Sequence, residues 1–419
     1  MARTVFTGGQ VFDGSGSPAF PGEVVVEGDR IVEVREGYHP DQHEGATVVD
    51  ATGSTVMPGM VESHAHLTFP SAVGHIDPSF NPPVDVTFFH HIEGFESELA
   101  RTERNAGILL DAGFTSAYSA GSILDMPVEV ALRDKIRAGV VKGPRFLSAA
   151  GERDNLPTDP QGRQRSNWHG PDAMRDWVVS HAQQGYDSIK FLVSNDDVFL
   201  PGGSMMTQFD ADELNAAGEA AREAGVWLNG HCQSPESVKL AVKAGFRSIY
   251  HCTYADEEAL DLLESVKDTA FVSPAVGIIY ANVYEGEEFG ITPEVAQHMG
   301  SPASLEGMQK IYPELRKRGV RALIGGDYGF PNNPIGTNAK DLRLFVDHLG
   351  YSPVEALVAA TQYGGQLMDL EVGVLKPGYL ADVLVVKGDP TSDVSILENT
   401  DNITHIVLNG AFHKAPAAA

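Results

Sequence analysis

The sequence predicts an α/β fold, a TIM (β/α)8 barrel carrying a small β-sandwich domain formed from both chain ends. Three observations predict it. Through the middle of the chain, short apolar strands alternate with helix-like stretches, the pattern of βα units around a parallel sheet. Eight strand segments can be counted there, and eight βα units close a barrel. Both ends, by contrast, carry β-like segments without helical periodicity. An isolated hairpin is marginal in water, so the two ends are expected to combine. The expected boundaries are 1–57 plus 370–419 for the β domain and 58–369 for the barrel, and 419 residues suit that arrangement.

Taken in order, TVFTGGQVFDG, GEVVVEGDRIVEVRE and ATVVDATGSTVMPG read as β segments with turns marked by Gly, Asp and Pro. The barrel strands are then VMPGMVESHAH, FTSAYSAG, PRFLSAAGE, DSIKFLVSN, VWLNGHC, RSIYHCTY, AFVSPAVG and RALIGGDYG. Helices are expected between them, for instance over DADELNAAGEAAREAG (210–225) and PESVKLAVKAG (235–245). β segments return in LADVLVVKGD (380–389) and ITHIVLNGAFHK (403–414), and KAPAAA reads as a frayed tail. No short repeat or low-complexity tract competes with this reading.

Composition narrows the function classes. With 30 basic against 57 acidic residues, the net charge of −27 repels nucleic acid and anionic lipid, so the expected partner is a small-molecule substrate. The acidic residues are spread along the chain without long blocks, as on a well-solvated surface. A hydrophobic content of 42% and an aromatic content of 8% are ordinary for a globular protein, and no apolar run approaches a membrane span. The N-terminal MARTVFTGGQVFDGSG lacks the basic and apolar regions of a signal peptide, so a cytoplasmic location is expected. The two cysteines, Cys232 and Cys252, exclude a disulfide-based scaffold. Each follows a histidine and should face the opposite side of its strand, toward the packing layer.

Residues that bind metals lie at or near the ends of several expected strands. His64 and His66, in PGMVESHAH, are two apart, so a strand sends both imidazoles to one face. Lys190 lies in the fourth strand, His231 ends the fifth, His251 the sixth, and Asp327 the eighth. A barrel brings all these ends to one mouth. Taken singly, each has a plainer reading: a core histidine, a lysine snorkelling from the barrel mouth, or a helix-capping aspartate. Lys190 stands out because SIKFLVS is otherwise apolar and a buried ammonium is costly. A neutral lysine amine can take up carbon dioxide, giving a carbamate that bridges two cations as a carboxylate does.

With these motifs in view, the chain resembles the amidohydrolase superfamily, within it the imidazolonepropionase-like and Xaa-Pro or Xaa-Lys/Arg dipeptidase branch. The resemblance runs from VFDGSG and PGMVESHAH through NGHCQSPESVKLAVKAGFRSIYHCTY and GGD to GVLKPGYLADVLVVKGDP, nearly the whole chain. It implies two divalent metal ions, usually zinc, with His64 and His66 on the more buried one and Asp327 contacting it. It further implies a carboxylated Lys190 as bridge, His231 and His251 on the second metal, and a homo-oligomeric assembly. Relatives often carry a GGHG-type segment after the third strand, where this chain has GERDNLPTDPQGRQRSNWHG (151–170), a departure that bears on the substrate. The loop 68–95, rich in Phe and Pro, is expected to wall an apolar pocket, with His75, His90 and His91 as exposed loop histidines.

Two cations about 3.5 to 4 Å apart would hold a bridging hydroxide near neutral pH as the nucleophile, with Asp327 as general base and acid. Tyr254 is the nearest hydroxyl for an oxyanion, or else pocket wall, and Arg153 is a candidate for a substrate carboxylate, or else a surface arginine. The expected reaction is hydrolysis of an amide-type C–N bond in a small molecule: an N-acyl amino acid, a dipeptide, or an aryl amide, carbamate or urea. A cyclic-amide hydrolase is the alternative within the superfamily. Outside it stand a Schiff-base lyase acting through Lys190 and a catalytically silent barrel that serves as a binding protein.

Overall fold

The computed structural model describes residues 3–77, 94–122, 126–157 and 164–416. Its strands, in chain order, are β1 Arg3–Thr7, β2 Gln10–Val11, β3 Phe20–Glu27, β4 Arg30–Glu36, β5 Thr47–Asp50 and β6 Ser54–Pro58. Then come β7 Met60–Ala65, β8 Phe114–Ser119, β9 Arg145–Leu147, β10 Ser188–Leu192, β11 Trp227–Cys232, β12 Ser248–His251 and β13 Phe271–Ser273. The chain closes with β14 Val383–Lys387, β15 Ile403–Leu408 and β16 Ala411–Lys414.

Strands from the two chain ends interleave in one nine-stranded sheet, in the order β16-β15-β14-β6-β2-β3-β1-β5 with β4 on β3. The junction is the antiparallel pair β14–β6, with Val383 opposite Pro58 and Val385 opposite Val56. Phe6, Val24, Val26, Val56, Val383, Val385 and Val407 form one apolar cluster, so neither end buries its apolar face alone. The expected sandwich of two sheets is a single hydrogen-bonded path. β3 is long enough to pair with β2 through Phe20 and Pro21 and with β1 through Val24 to Glu27, and it carries the ladder across.

Inside this sheet the Glu23 carboxylate is fully buried. It accepts from Thr7 Oγ1 at 2.7 Å, Arg35 Nε at 2.8 Å and Nη2 at 2.6 Å, the His39 amide at 3.0 Å and the His43 ring at 2.7 Å. Burial alone would raise its pKa, but these donors outweigh it and hold the carboxyl at about 2.

The middle of the chain is α/β with curled, parallel sheets, β7-β8-β9 and β10-β11-β12-β13. Isolated parallel bridges, Ala149 with Ser188 and Arg153 with Phe191, join the first to the second. Val272 pairs with Ala322 and Ala65 with Tyr328, which carries the segment 322–328 between β13 and β7. That segment, expected as a regular eighth strand, is not one. Gly325 (φ 152°) and Asp327 (φ 60°) leave strand geometry, and a Cβ on Gly325 would lie 2.5 Å from His64 Cβ. The glycines let the backbone press against β7 where a ladder residue would clash.

The helices follow their local signals. Ala211–Ala224 begins at a capping box, Asp210 accepting from the Glu213 amide at 2.9 Å and Glu213 returning to Asp210 N at 3.0 Å, and ends at left-handed Gly225. Pro235–Ala244 is capped by Ser234 and stopped by Gly245. Cys232 and Cys252 are both free and buried. No helix among the described residues is long and apolar enough to cross a membrane.

Glu23 gives a pH-dependent stability test. Its folded pKa, depressed from 4.5 to about 2, contributes stability that is fully present above pH 4.5 and is lost as pH falls toward 2. The contribution is about 3 kcal/mol for such a shift. The unfolding midpoint of Glu23→Gln is expected to fall clearly below wild type at pH 7, with the gap closing as pH drops from 4.5 to 2. Thermal unfolding across that window checks it, and a gap independent of pH would count against it.

Candidate metal centre

The site is built at the ends of β7, β11 and β12 and the turn that follows Ile324. β7 is buried along its length, and His64 with His66 just beyond it set their rings 5.1 Å apart. Both address Asp327: His66 Nε2 lies 3.1 Å and His64 Nε2 3.7 Å from its Oδ1. One ligand atom from each of the three falls within 4.8 Å of the others. His66 Nδ1 donates to the Gly121 carbonyl at 2.7 Å, which turns Nε2 toward the carboxylate. The cluster continues from His64 to His251 at 5.6 Å between ring centroids and from His251 to His231 at 4.2 Å. His251 has left-handed backbone (φ 71°), a bend at the end of β12 that is costly for a non-glycine and is held here by its surroundings.

Electrostatics sort these groups. Burial pushes His64 and His231 well below the ordinary imidazole range and His251 to about 4, so all three are neutral near pH 7. Burial would lower His66 too, but its contact with Asp327 shifts it upward. Burial would raise Asp327, yet the surrounding imidazoles of His64, His66 and His251 hold it far below the usual carboxylate range. His64 Nδ1 and His251 Nε2 are buried without a hydrogen-bond partner. Two imidazoles and a carboxylate whose ligand atoms lie within 4.8 Å of one another, with a further buried imidazole nitrogen of His251 left unpartnered beside them, fit divalent cations of the zinc type.

Lys190, in the middle of β10, is buried, and its Nζ donates to the Ala120 carbonyl at 2.7 Å and to Glu152 Oε1 at 3.1 Å. Gly121 permits this approach, since a Cβ there would meet Lys190 Cγ at 2.8 Å. His231 Nε2 lies 3.4 Å from Asp196 Oδ2 and 3.3 Å from Gln233 Nε2. Neither Glu152 nor Asp196 is singled out by the sequence, because both sit in irregular segments after strands.

Behind His64 and Asp327 lies a second layer that the sequence reading also misses. Glu62 accepts from the His64 amide at 2.9 Å and from Asn338 Nδ2 at 2.7 Å. Asp341 accepts from the Gly325 amide at 2.9 Å and from the Tyr328 hydroxyl at 2.8 Å, pinning the turn that carries Asp327. Burial, then mutual repulsion, raises Glu62 to about 7, and burial raises Asp341 to about 6. The available signal was an acid inside the apolar strand VESHAH.

The remaining sequence candidates make contacts of their own. The Tyr254 hydroxyl lies 3.3 Å from Ser304 Oγ, and Tyr254 lines a cavity of about 370 Å³ with Thr253, Ala303, Glu306 and Lys310. Arg153 is not a surface arginine: it is buried, stacked 3.3 Å from the centroid of Trp168, and donates to the carbonyls of Asp154 and Trp168. His75 is exposed, and His90 and His91 lie outside the described residues.

Asp341 yields a test of the supporting layer. Asp341→Ala leaves the Gly325 amide as a buried donor without its acceptor and the Tyr328 hydroxyl with only the Asn338 carbonyl at 3.2 Å, at a cost of about 1–3 kcal/mol. Its unfolding midpoint is expected to fall and its metal uptake to weaken together. An unchanged midpoint would mean that Asp341 does not hold the turn.

The chain matches the model of the amidohydrolase family over residues 55–412, a span that includes all the side chains of this centre. It is 24% identical to an ochratoxinase of Aspergillus niger, with 99% of this chain and 87% of the relative covered. It is 26% identical to an imidazolonepropionase of Rubrobacter xylanophilus, with 93% and 90% covered. The crystal structure of a Xaa-Pro dipeptidase with bound methionine superposes with a TM-score of 0.80 at 24% identity, over 99% of this chain and 100% of that one. The imidazolonepropionase and the Xaa-Pro dipeptidase carry the names of the branch that the sequence motifs resemble, and this chain is a hydrolase that belongs to the amidohydrolase family.

Proposed function

We propose that this protein is a binuclear-metal-dependent hydrolase that cleaves an amide-type C–N bond of a small molecule. The observation that carries the reading is the convergence of His64, His66 and Asp327, with His251 and His231 continuing the same cluster. On this reading residues 58–369 are a closed (β/α)8 barrel, with 1–57 and 370–419 as its β domain. The parallel bridges that flank the segment 322–328 support closure.

His64, His66 and Asp327 would hold one cation and His231 and His251 the other, with Lys190 as its carbamate between them. The cations, when bound, polarise the substrate carbonyl and make water nucleophilic near neutral pH. Carboxylation of Lys190, buried in β10, would have its amine nitrogen add to carbon dioxide and release a proton. Asp327 is ionised at neutral pH and one fifth exposed, so it can take the proton of the attacking water and pass it to the leaving nitrogen. Membership in a hydrolase family sets the lyase and silent-barrel readings aside. The ochratoxinase and imidazolonepropionase relatives keep open-chain and cyclic amides both in the substrate panel.

The deciding experiment is a hydrolysis screen of N-acyl amino acids, dipeptides, aryl amides, carbamates, ureas and cyclic amides with enzyme made in ample zinc and bicarbonate. Elemental analysis is expected to give close to two divalent metals per chain. Full activity in metal-free protein would overturn the reading. Asp327→Asn keeps size and a weak ligand oxygen but removes the base, so turnover should fall about a hundredfold or more with metal largely retained. Near wild-type turnover with both metals bound would assign the proton transfer elsewhere. Lys190→Ala should lose metal affinity and regain part of its activity with short carboxylic acids, and an uncarboxylated lysine at a filled site would refute the carbamate.

A further inference from the structure

Asp196 follows β10 in the segment SNDD and is held from both sides. Its Oδ1 accepts from the Val198 amide at 2.8 Å and its Oδ2 from Gln233 Nε2 at 2.8 Å. The surrounding loop is itself pinned, with Ser194 N donating to the His231 carbonyl at 3.0 Å, Asn195 N to the Met206 carbonyl at 2.9 Å, and Gln233 N to Ser194 Oγ at 2.9 Å. A carboxylate fixed this firmly has its position set before any ligand arrives.

The position set is that of a metal ligand. Asp196 Oδ2 and His231 Nε2 are 3.4 Å apart, longer than a charge-assisted hydrogen bond of about 2.7–2.9 Å. Two ligand atoms, each about 2.0–2.1 Å from one tetrahedral cation, stand roughly 3.3 Å from each other. A somewhat shorter spacing appears on the other side of the centre, where His66 Nε2 and Asp327 Oδ1 are 3.1 Å apart. The Gln233 amide nitrogen, 2.8 Å from Asp196 Oδ2 and 3.3 Å from His231 Nε2, offers its N–H groups to the two acceptors as a cation would offer its charge. Beside them His251 Nε2 is buried with no partner.

We propose that Asp196 is a protein ligand of the cation held by His231 and His251, so that each half of the centre is a cluster of two histidines and one aspartate. The inference rests on the two-cation reading above. It gives the second cation a carboxylate that does not depend on carbon dioxide, and the Gln233 side chain moves aside when that cation binds.

Cobalt titration of metal-free protein separates the two claims. Wild type is expected to take two Co²⁺ per chain, seen by calorimetry and by the visible d–d bands. Asp196→Asn preserves the size of the side chain and should weaken one of the two sites by tenfold or more, leaving the other unchanged. The spectrum of its remaining cobalt should match that of His251→Ala, with Asp196→Ala giving the same result more strongly. Unfolding curves of the metal-free variants that overlay wild type exclude a folding defect. Two sites of wild-type affinity in Asp196→Asn and Asp196→Ala would overturn the Asp196 assignment and leave the two-cation reading standing. Fewer than two sites in wild type would overturn both.

Discussion

The contact on which this molecule turns is the Asp327 carboxylate set against the imidazoles of His64 and His66. Bringing it there requires backbone that a regular strand cannot supply. Gly325 and Gly326 let the turn pack on His64 and on Asp341, where any Cβ would overlap at 2.5 Å or less, and Asp327 adopts left-handed φ, which aspartate tolerates better than most residues. The strain is offset by Asp341, which gives the Gly325 amide and Tyr328 hydroxyl a common acceptor. Glu62 does the same for the His64 amide on the facing strand. Two buried acids thus fix the two halves of one contact from behind, and the repulsion between them is a cost that the site imposes on the core.

That cost is part of a wider pattern. Three histidines are held neutral by burial, two imidazole nitrogens have no partner, and one carboxylate is kept ionised among them. A polar network satisfied only in part is less stable than an apolar core of the same shape, so a sequence selected for stability alone would not keep it. Local rules are broken where function requires it. Glu129 shows the contrasting case: also buried, it accepts from Ser119 Oγ and the Ala149 amide at 2.9 Å each, and serves as a tie between β8 and the segment after β9.

The strand-borne part of this centre was legible in the sequence because its signals are local. A His-x-His after an apolar run, histidines closing VWLNGHC and RSIYHC, and a lone lysine in SIKFLVS all express strand periodicity and burial. Helix limits were legible for the same reason, through Asp210, Ser234 and the glycines that stop each helix. What was not legible depends on tertiary approach. RALIGG has a strand composition, and only its packing on β7 shows why it departs from one. Asp196, Glu152 and Asp341 look in sequence like any solvated acids in a chain with 57 of them, and their roles come from chain segments far from their own. Arg153 differs in another way: its burial could not be read from the sequence, and its flat guanidinium stacks on Trp168 and donates to two main-chain carbonyls.

Under the function we propose, reaction and substrate are written in different parts of the fold. The side chains we assign to the first cation and to the imidazoles of the second come from strands and a glycine turn braced by buried acids, elements with little freedom to vary without losing the centre. Asp196, Glu152, Arg153 and Tyr254 come from the segments that follow strands, which tolerate change more readily. A division of this kind explains how relatives named for such different substrates as ochratoxin and imidazolonepropionate align over nearly the whole of this chain at only 24–26% identity. The expected departure at 151–170 falls among these segments and outside the histidine cluster. Within that segment the Arg153 guanidinium stacks 3.3 Å from the centroid of Trp168 and lies 5.3 Å from that of Trp177. Under the function we propose, that stack is the place to look for what sets this chain's substrate apart.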